Sequence, residues 1–88
     1  MSVLTNMAAV FFEQEKYPEC ISKCEEAIDV GRENRADFKL IAKAYARIAN
    51  SHIKLNQQQE ALKFYQKSLS EHRDAAIVKK VQQIGKMF

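Results

Sequence analysis

The chain has 88 residues with 14 basic and 11 acidic side chains, a formal charge of +3 and a pI near 9.0. That length makes one small domain, which buries only about 60–65% of its unfolded surface. The mild, dispersed charge excludes the concentrated basic stripe of a nucleic-acid binder, and no apolar run reaches the roughly 18 residues of a membrane span or follows the layout of a secretion signal.

With two glycines, one proline, no tryptophan and many Ala, Glu, Lys, Gln and Leu residues, the composition favours helix almost throughout. A first helix is expected from about Ser2, as its cap, to about Gln14. Val3, Leu4, Met7, Ala8, Ala9, Val10, Phe11 and Phe12 make it apolar nearly all the way round, so it needs cover on two sides. Glu15 and Lys16 form a tight link, and Pro18 suits the first turn of a second helix, where its missing N–H is not needed. That helix is expected to run to about Val30 with Gly31 as its stop.

Asn34, with Asp37 three residues on, reads as the cap of a long third helix ending near Leu55 or Asn56. A fourth helix follows from residues 57–59 through Ser70, with Ala61, Leu62, Phe64, Tyr65, Ser68 and Leu69 at helical spacing. Asp74 caps a fifth, whose stripe of Ile77, Val81, Ile84 and Phe88 lies opposite Lys79, Lys80, Gln83 and Lys86.

No chemistry-bearing constellation emerges. Cys20 and Cys24 are the only cysteines; a zinc site needs two more ligands, and neither His52 nor His72 sits at a paired spacing. Both thiols read as small core residues of a reducing compartment. A nucleophile with a base in reach, a Gly-rich phosphate loop and a metal spacing are all missing from the pattern. The expectation is a cytoplasmic binding module that is not an enzyme and uses no cofactor or metal.

The chain organises around residues 41–50, Ile-Ala-Lys-Ala-Tyr-Ala-Arg-Ile-Ala-Asn. Residues four apart share a helix face, so Lys43 and Arg47 form a cationic strip while Ala42, Ala46 and Ala49 let a neighbouring helix come close. Laid over itself with an offset of forty-one, the sequence repeats: Ala8 meets Ala49, Phe12 meets Ile53, Cys20 meets Ala61, Ile21 meets Leu62, Cys24 meets Tyr65 and Ala27 meets Ser68. Small residues recur where two helices of a pair, and the next pair, approach most closely. By the same offset Asn6 is equivalent to Arg47, so Asn6, Lys43 and Arg47 belong on one concave side. The two cations await an acidic partner, to which the Asn6 amide can add a further donor.

The small-residue pattern resembles the tetratricopeptide repeat, whose period is about 34 residues; the seven extra fall in residues 31–37, and His52 and Gln58 replace aromatic residues common in that family. The resemblance implies an all-α tetratricopeptide-repeat helical solenoid: a repeat over residues 1–33, a second with a lengthened first helix over 34–72, and a C-terminal capping helix over 73–88. A closer resemblance is carried by Thr5-Asn6-Met-Ala-Ala-Val-Phe-Phe-Glu13, Cys24-Glu-Glu-Ala-Ile-Asp-Val-Gly-Arg-Glu-Asn34, Ile41-Ala-Lys-Ala-Tyr-Ala-Arg-Ile-Ala-Asn50 and Lys67-Ser-Leu-Ser-Glu-His-Arg73. These look like the middle peptide-binding domain of the Hop/stress-inducible co-chaperone family.

That resemblance implies a carboxylate clamp for the acidic C-terminal tail of heat shock protein 90 or 70. Asn6, Lys43 and Arg47 would make the clamp, with Glu13 and Asn50 as groove positions of lesser weight. The family's clamp also takes a lysine and an asparagine from a preceding repeat that has no counterpart here, which implies a partial clamp. Leu40 is apolar at a position where that family often carries a polar residue. Without the preceding pair, Val3, Met7 and Val10 are expected to lie bare, so the chain would pair with a copy of itself through the first helix. The alternative is a self-associating helical scaffold with a vestigial groove.

Overall fold

The computed structural model describes residues 2–34 and 38–86. It contains five helices in those stretches: α1 (Ser2–Glu13), α2 (Tyr17–Glu33), α3 (Phe38–Lys54), α4 (Gln58–Glu71) and α5 (Ala75–Gly85). Each packs chiefly on its neighbours in sequence, in a body of 37 × 27 × 16 Å.

The links between paired helices explain the antiparallel fold-back. At the end of α1, Glu15 takes φ 61°. Its N–H donates to the Phe12 carbonyl (3.1 Å) and the Lys16 N–H to the Phe11 carbonyl (2.8 Å). At the end of α3, Asn56 takes φ 62°. There the Asn56 N–H donates to Ile53 (3.0 Å) and the Gln57 N–H to His52 (2.8 Å). Both are Schellman turns, in which one left-handed residue lets two N–H groups satisfy the last helical carbonyls. Glu15 and Asn56 are themselves related by the forty-one-residue offset. The next helix then starts at once, with Pro18 in the first turn of α2.

Two expected helix signals act differently from the reading above. Gly31 does not stop the second helix: it is buried inside α2, which continues to Glu33. Asn34 does not open the third helix but closes the second, its side-chain amide donating to the Val30 carbonyl at 2.8 Å. A side chain that can satisfy an orphan carbonyl makes the glycine unnecessary as a terminator. The capping role expected of Asp37 and the place of Phe88 in the last stripe fall outside the described residues, as does the side chain of Ser2. Asp74 caps α5 as expected, its carboxylate accepting from the Ala76 N–H at 2.8 Å.

The core follows the small-residue pattern. Ala8 and Ala49, Cys20 and Ala61, Cys24 and Tyr65, and Ala27 and Ser68 are all buried. One cluster joins α1, α2 and α3 through Ala8, Cys20, Cys24, Ile28, Ile41, Ala44 and Ile48. A second joins α3, α4 and α5 through Ala49, Ala61, Tyr65, Ile77 and Ile84, and Phe64 packs against both. The helix backbones come together because the contact positions carry little more than a methyl or a thiol. Buried hydroxyls are satisfied within this packing: Ser68 Oγ donates to the Ala42 carbonyl across the α3–α4 contact at 2.8 Å.

Glu15 has a Cβ in a backbone region that disfavours it. Glu15→Gly is therefore expected to stabilise the chain by about 0.5–1 kcal/mol, and Asn56→Gly by less because Asn tolerates that region. Urea unfolding of the two variants beside the parent checks both; a loss of stability in Glu15→Gly would contradict the strain at this turn.

Candidate functional site

Three of the five residues singled out in the sequence line one cavity. Between α1 and α3 lies a hollow of about 200 Å³ to which α1 contributes Thr5, Asn6 and Ala9, and α3 contributes Leu40, Lys43, Ala44 and Arg47. Cys24 of α2 forms part of the wall. The lining holds two cations and no acid, so its potential is positive. Lys43 is exposed and Arg47 half-buried, which leaves both heads able to reach a ligand while the arginine stem rests on the helices.

Arg47 is held from behind. Ser51, fully buried one turn further along α3, donates to the Arg47 carbonyl at 2.9 Å, and its Oγ lies 3.4 Å from Cys20 Sγ on α2. Burial, and then the neighbouring Cys20, push the Cys24 thiol up to about 12, against the opposing influence of Arg47. The thiol is therefore neutral at physiological pH, and the cavity wall adds no negative charge beside the two cations.

The other two candidates lie elsewhere. Asn50 lines a second hollow of about 490 Å³, with Phe12, Ile53, Lys54, Tyr65, Lys80, Gln83 and Ile84. Its Oδ1 accepts from the Tyr65 hydroxyl and from Lys80 Nζ, the latter at 3.2 Å. Glu13 is exposed at the end of α1 and lines neither hollow. Sequence reasoning put Lys80 on the water-facing side of the last helix and did not connect it with Asn50. Periodicity within one helix carries no signal for a contact between residues thirty apart.

On the α3–α4 side, His52 stacks on Phe64 with ring centroids 5.4 Å apart and planes 13° from parallel. Its Nδ1 bonds Gln57 Oε1 at 2.7 Å. The imidazole fills an aromatic position by stacking, which a flat ring of either kind can do. Among the described residues no group of three or more His, Cys, Asp or Glu could hold a metal ion, and no helix is long and apolar enough to cross a membrane.

Paired helices, recurrent small contact residues and a forty-one-residue internal offset are now joined by a sequence comparison in which residues 1–70 match the tetratricopeptide repeat family. The chain belongs to that family. Among curated relatives it is 51% identical over 83 residues to stress-induced-phosphoprotein 1 of Caenorhabditis elegans, a match covering 94% of this chain and 26% of the relative. Heat shock protein STI1 of Saccharomyces cerevisiae is 42% identical over 86 residues, covering 98% and 15%. The chain thus spans about a quarter or less of the length of these relatives.

Two solved structures share the repeat geometry. The N-terminal domain of stress-induced protein-1 from C. elegans superposes with a TM-score of 0.93 at 48% identity, covering 96% of this chain and 66% of that one. The TPR2AB-domain:pHSP90 complex of yeast Sti1 gives 0.95 at 42% identity, covering 98% and 33%. The resemblance to the Hop/stress-inducible proteins is thereby found again in whole-chain alignments and in three dimensions.

Cys24 supplies a pH test. A thiol whose folded value lies above its ordinary 9.0 keeps its proton in the folded state after the unfolded chain has lost it. Its stabilisation is complete below about pH 9 and is lost as pH rises towards 12. Burial also raises the Tyr65 hydroxyl, which acts in the same direction at higher pH. Unfolding free energy is expected to fall from pH 9 upward, less steeply in Cys24→Ala; equal slopes in denaturant titrations at pH 8, 9 and 10 would contradict the assignment.

Proposed function

We propose that the chain is a co-chaperone module that binds the acidic C-terminal Glu-Glu-Val-Asp tail of heat shock protein 90 or 70 through a carboxylate clamp, as a binding protein of the cytoplasm rather than an enzyme. The observation that carries this is the meeting of Asn6, Lys43 and Arg47 around one cavity whose lining has no acid. Two cations spaced one helical turn apart on a rigid helix suit the two carboxylates of a terminal aspartate, and an amide from the adjacent helix can donate to the main-chain carboxylate. The relatives' names point the same way: one is called Hsp70-Hsp90 organizing protein 3, from Arabidopsis thaliana, and one solved neighbour is a pHSP90 complex. The clamp is partial in this reading, since its cations come from α3 alone and α1 lends an amide. Residues 1–33 and 34–72 act as the two repeats, with residues 73–88 as their cap.

Lys43→Ala and Arg47→Ala are each expected to weaken binding of a Glu-Glu-Val-Asp peptide by about 1.5–3 kcal/mol, the worth of a hydrogen bond to a charged group, and raised salt should weaken the parent. Isothermal titration with the free-acid peptide and its C-terminal amide is the measurement. Equal affinity for acid and amide would remove the clamp.

A second reading, self-association through α1, is favoured by one observation. Val3, Met7 and Val10 are exposed at 69, 39 and 54%, whereas their equivalents forty-one residues on, Ala44, Ile48 and Ser51, are at most 3% exposed. The face that one repeat buries against the pair before it is thus open on α1. Eleven residues from Ser2 to Phe12 carry no charge, so two copies can meet there without like-charge repulsion. On this reading sedimentation shows a monomer–dimer equilibrium that Val10→Lys shifts to monomer; a monomer at every concentration up to the millimolar range would dismiss it.

A further inference from the structure

We infer that Tyr65 and Lys80 are positioning residues that hold the Asn50 amide by its oxygen and so leave its Nδ2 hydrogens to donate to a main-chain carbonyl of the bound peptide. This rests on the peptide-binding reading above and adds the capping helix to the machinery.

The orientation follows from donor chemistry. A lysine ammonium has donors and no acceptor, so the Asn50 atom 3.2 Å from Lys80 Nζ must be the amide oxygen. The Tyr65 hydroxyl donates to the same oxygen. Tyr65 is 2% exposed and its hydroxyl is held neutral by burial, so this donor persists through the physiological range. With both oxygen lone pairs engaged, the two amide hydrogens are the part of the side chain left to serve a ligand.

Lys80 is itself steadied, its ammonium lying 5.7 Å from the centre of the Tyr65 ring. Tyr65 on α4, Lys80 on α5 and Asn50 on α3 therefore form a three-helix brace at the wall of the 490 Å³ hollow. Asn50 stands three residues beyond Arg47, about 4.5 Å along the helix axis. An extended chain advances about 3.3 Å per residue. A peptide whose terminal carboxylate meets Lys43 and Arg47 thus brings a carbonyl one or two residues upstream to Asn50, and a carbonyl can only accept.

The test is a double-mutant cycle by isothermal titration, using a synthetic peptide ending in Glu-Glu-Val-Asp. Lys80→Met and Tyr65→Phe are each expected to raise the Kd about two- to tenfold, the worth of one oriented neutral hydrogen bond, and Lys80→Arg, another pure donor, to restore affinity. In an Asn50→Ala background neither change should matter further. In amide-selective NMR, the Asn50 side-chain protons should shift on adding peptide to the parent and much less in Lys80→Met.

If Lys80→Met weakens binding equally with and without Asn50, the lysine acts as a simple charge and the positioning role is overturned. Unchanged affinity in both single variants, with thermal melts showing them folded, overturns it as well. Failure of the parent chain to bind the peptide at all removes both this inference and the peptide-binding reading, whereas binding that ignores Lys80 and Tyr65 removes only the inference.

Discussion

Close approach of helices at methyl- and thiol-sized side chains is the constraint on which the molecule depends. Ala8, Cys20, Ala27, Ala49 and Ala61 each retain no exposed surface, and a larger side chain at any of them would push two backbones apart. That spacing sets the distance between α1 and α3, and so decides whether an amide on one helix and two cations on the other can face a common ligand. The placement of the polar residues around the α1–α3 hollow is thus a consequence of the apolar packing beneath them.

A second set of contacts keeps the pairs in register where the small residues leave off. Arg32, near the end of α2, donates to the Tyr45 hydroxyl on α3 at 3.1 Å and pairs with Glu71 at the end of α4. Lys67 lies over the Phe64 ring at 4.8 Å and farther over Tyr45. Both interactions sit at the surface, where solvent screens charge and leaves such contacts little net stability. Their value is geometric: a planar guanidinium with partners on two other helices limits how far those helices can slide.

Much of this was legible in the residues. The forty-one-residue offset located the buried small positions, placed Asn6 and Arg47 as equivalents, and applies equally to the left-handed turns at Glu15 and Asn56. Helix ends were less legible, because Gly31 and Asn34 each have two physical uses and only the tertiary setting selects one. Gly31 serves as a small buried helical residue and Asn34 as a cap for the helix behind it. The bracing of Asn50 could not be read at all, since Tyr65 has the appearance of a core aromatic and Lys80 that of a solvated charge. Their meeting depends on how α5 lies across the α3–α4 pair, a rotation that amphipathic patterning leaves undetermined.

Asn6 lines the hollow between α1 and α3 and also the shallow apolar depression formed by Val3, Met7, Val10 and Phe11 on the outer side of α1. One side chain thus belongs to two surfaces that face different neighbours. A group covering the outer side would border the same amide that borders the inner hollow, and any coupling between the two sides would be reciprocal. The inner hollow and the outer side of α1 are thus separated by no more than the width of one amide side chain.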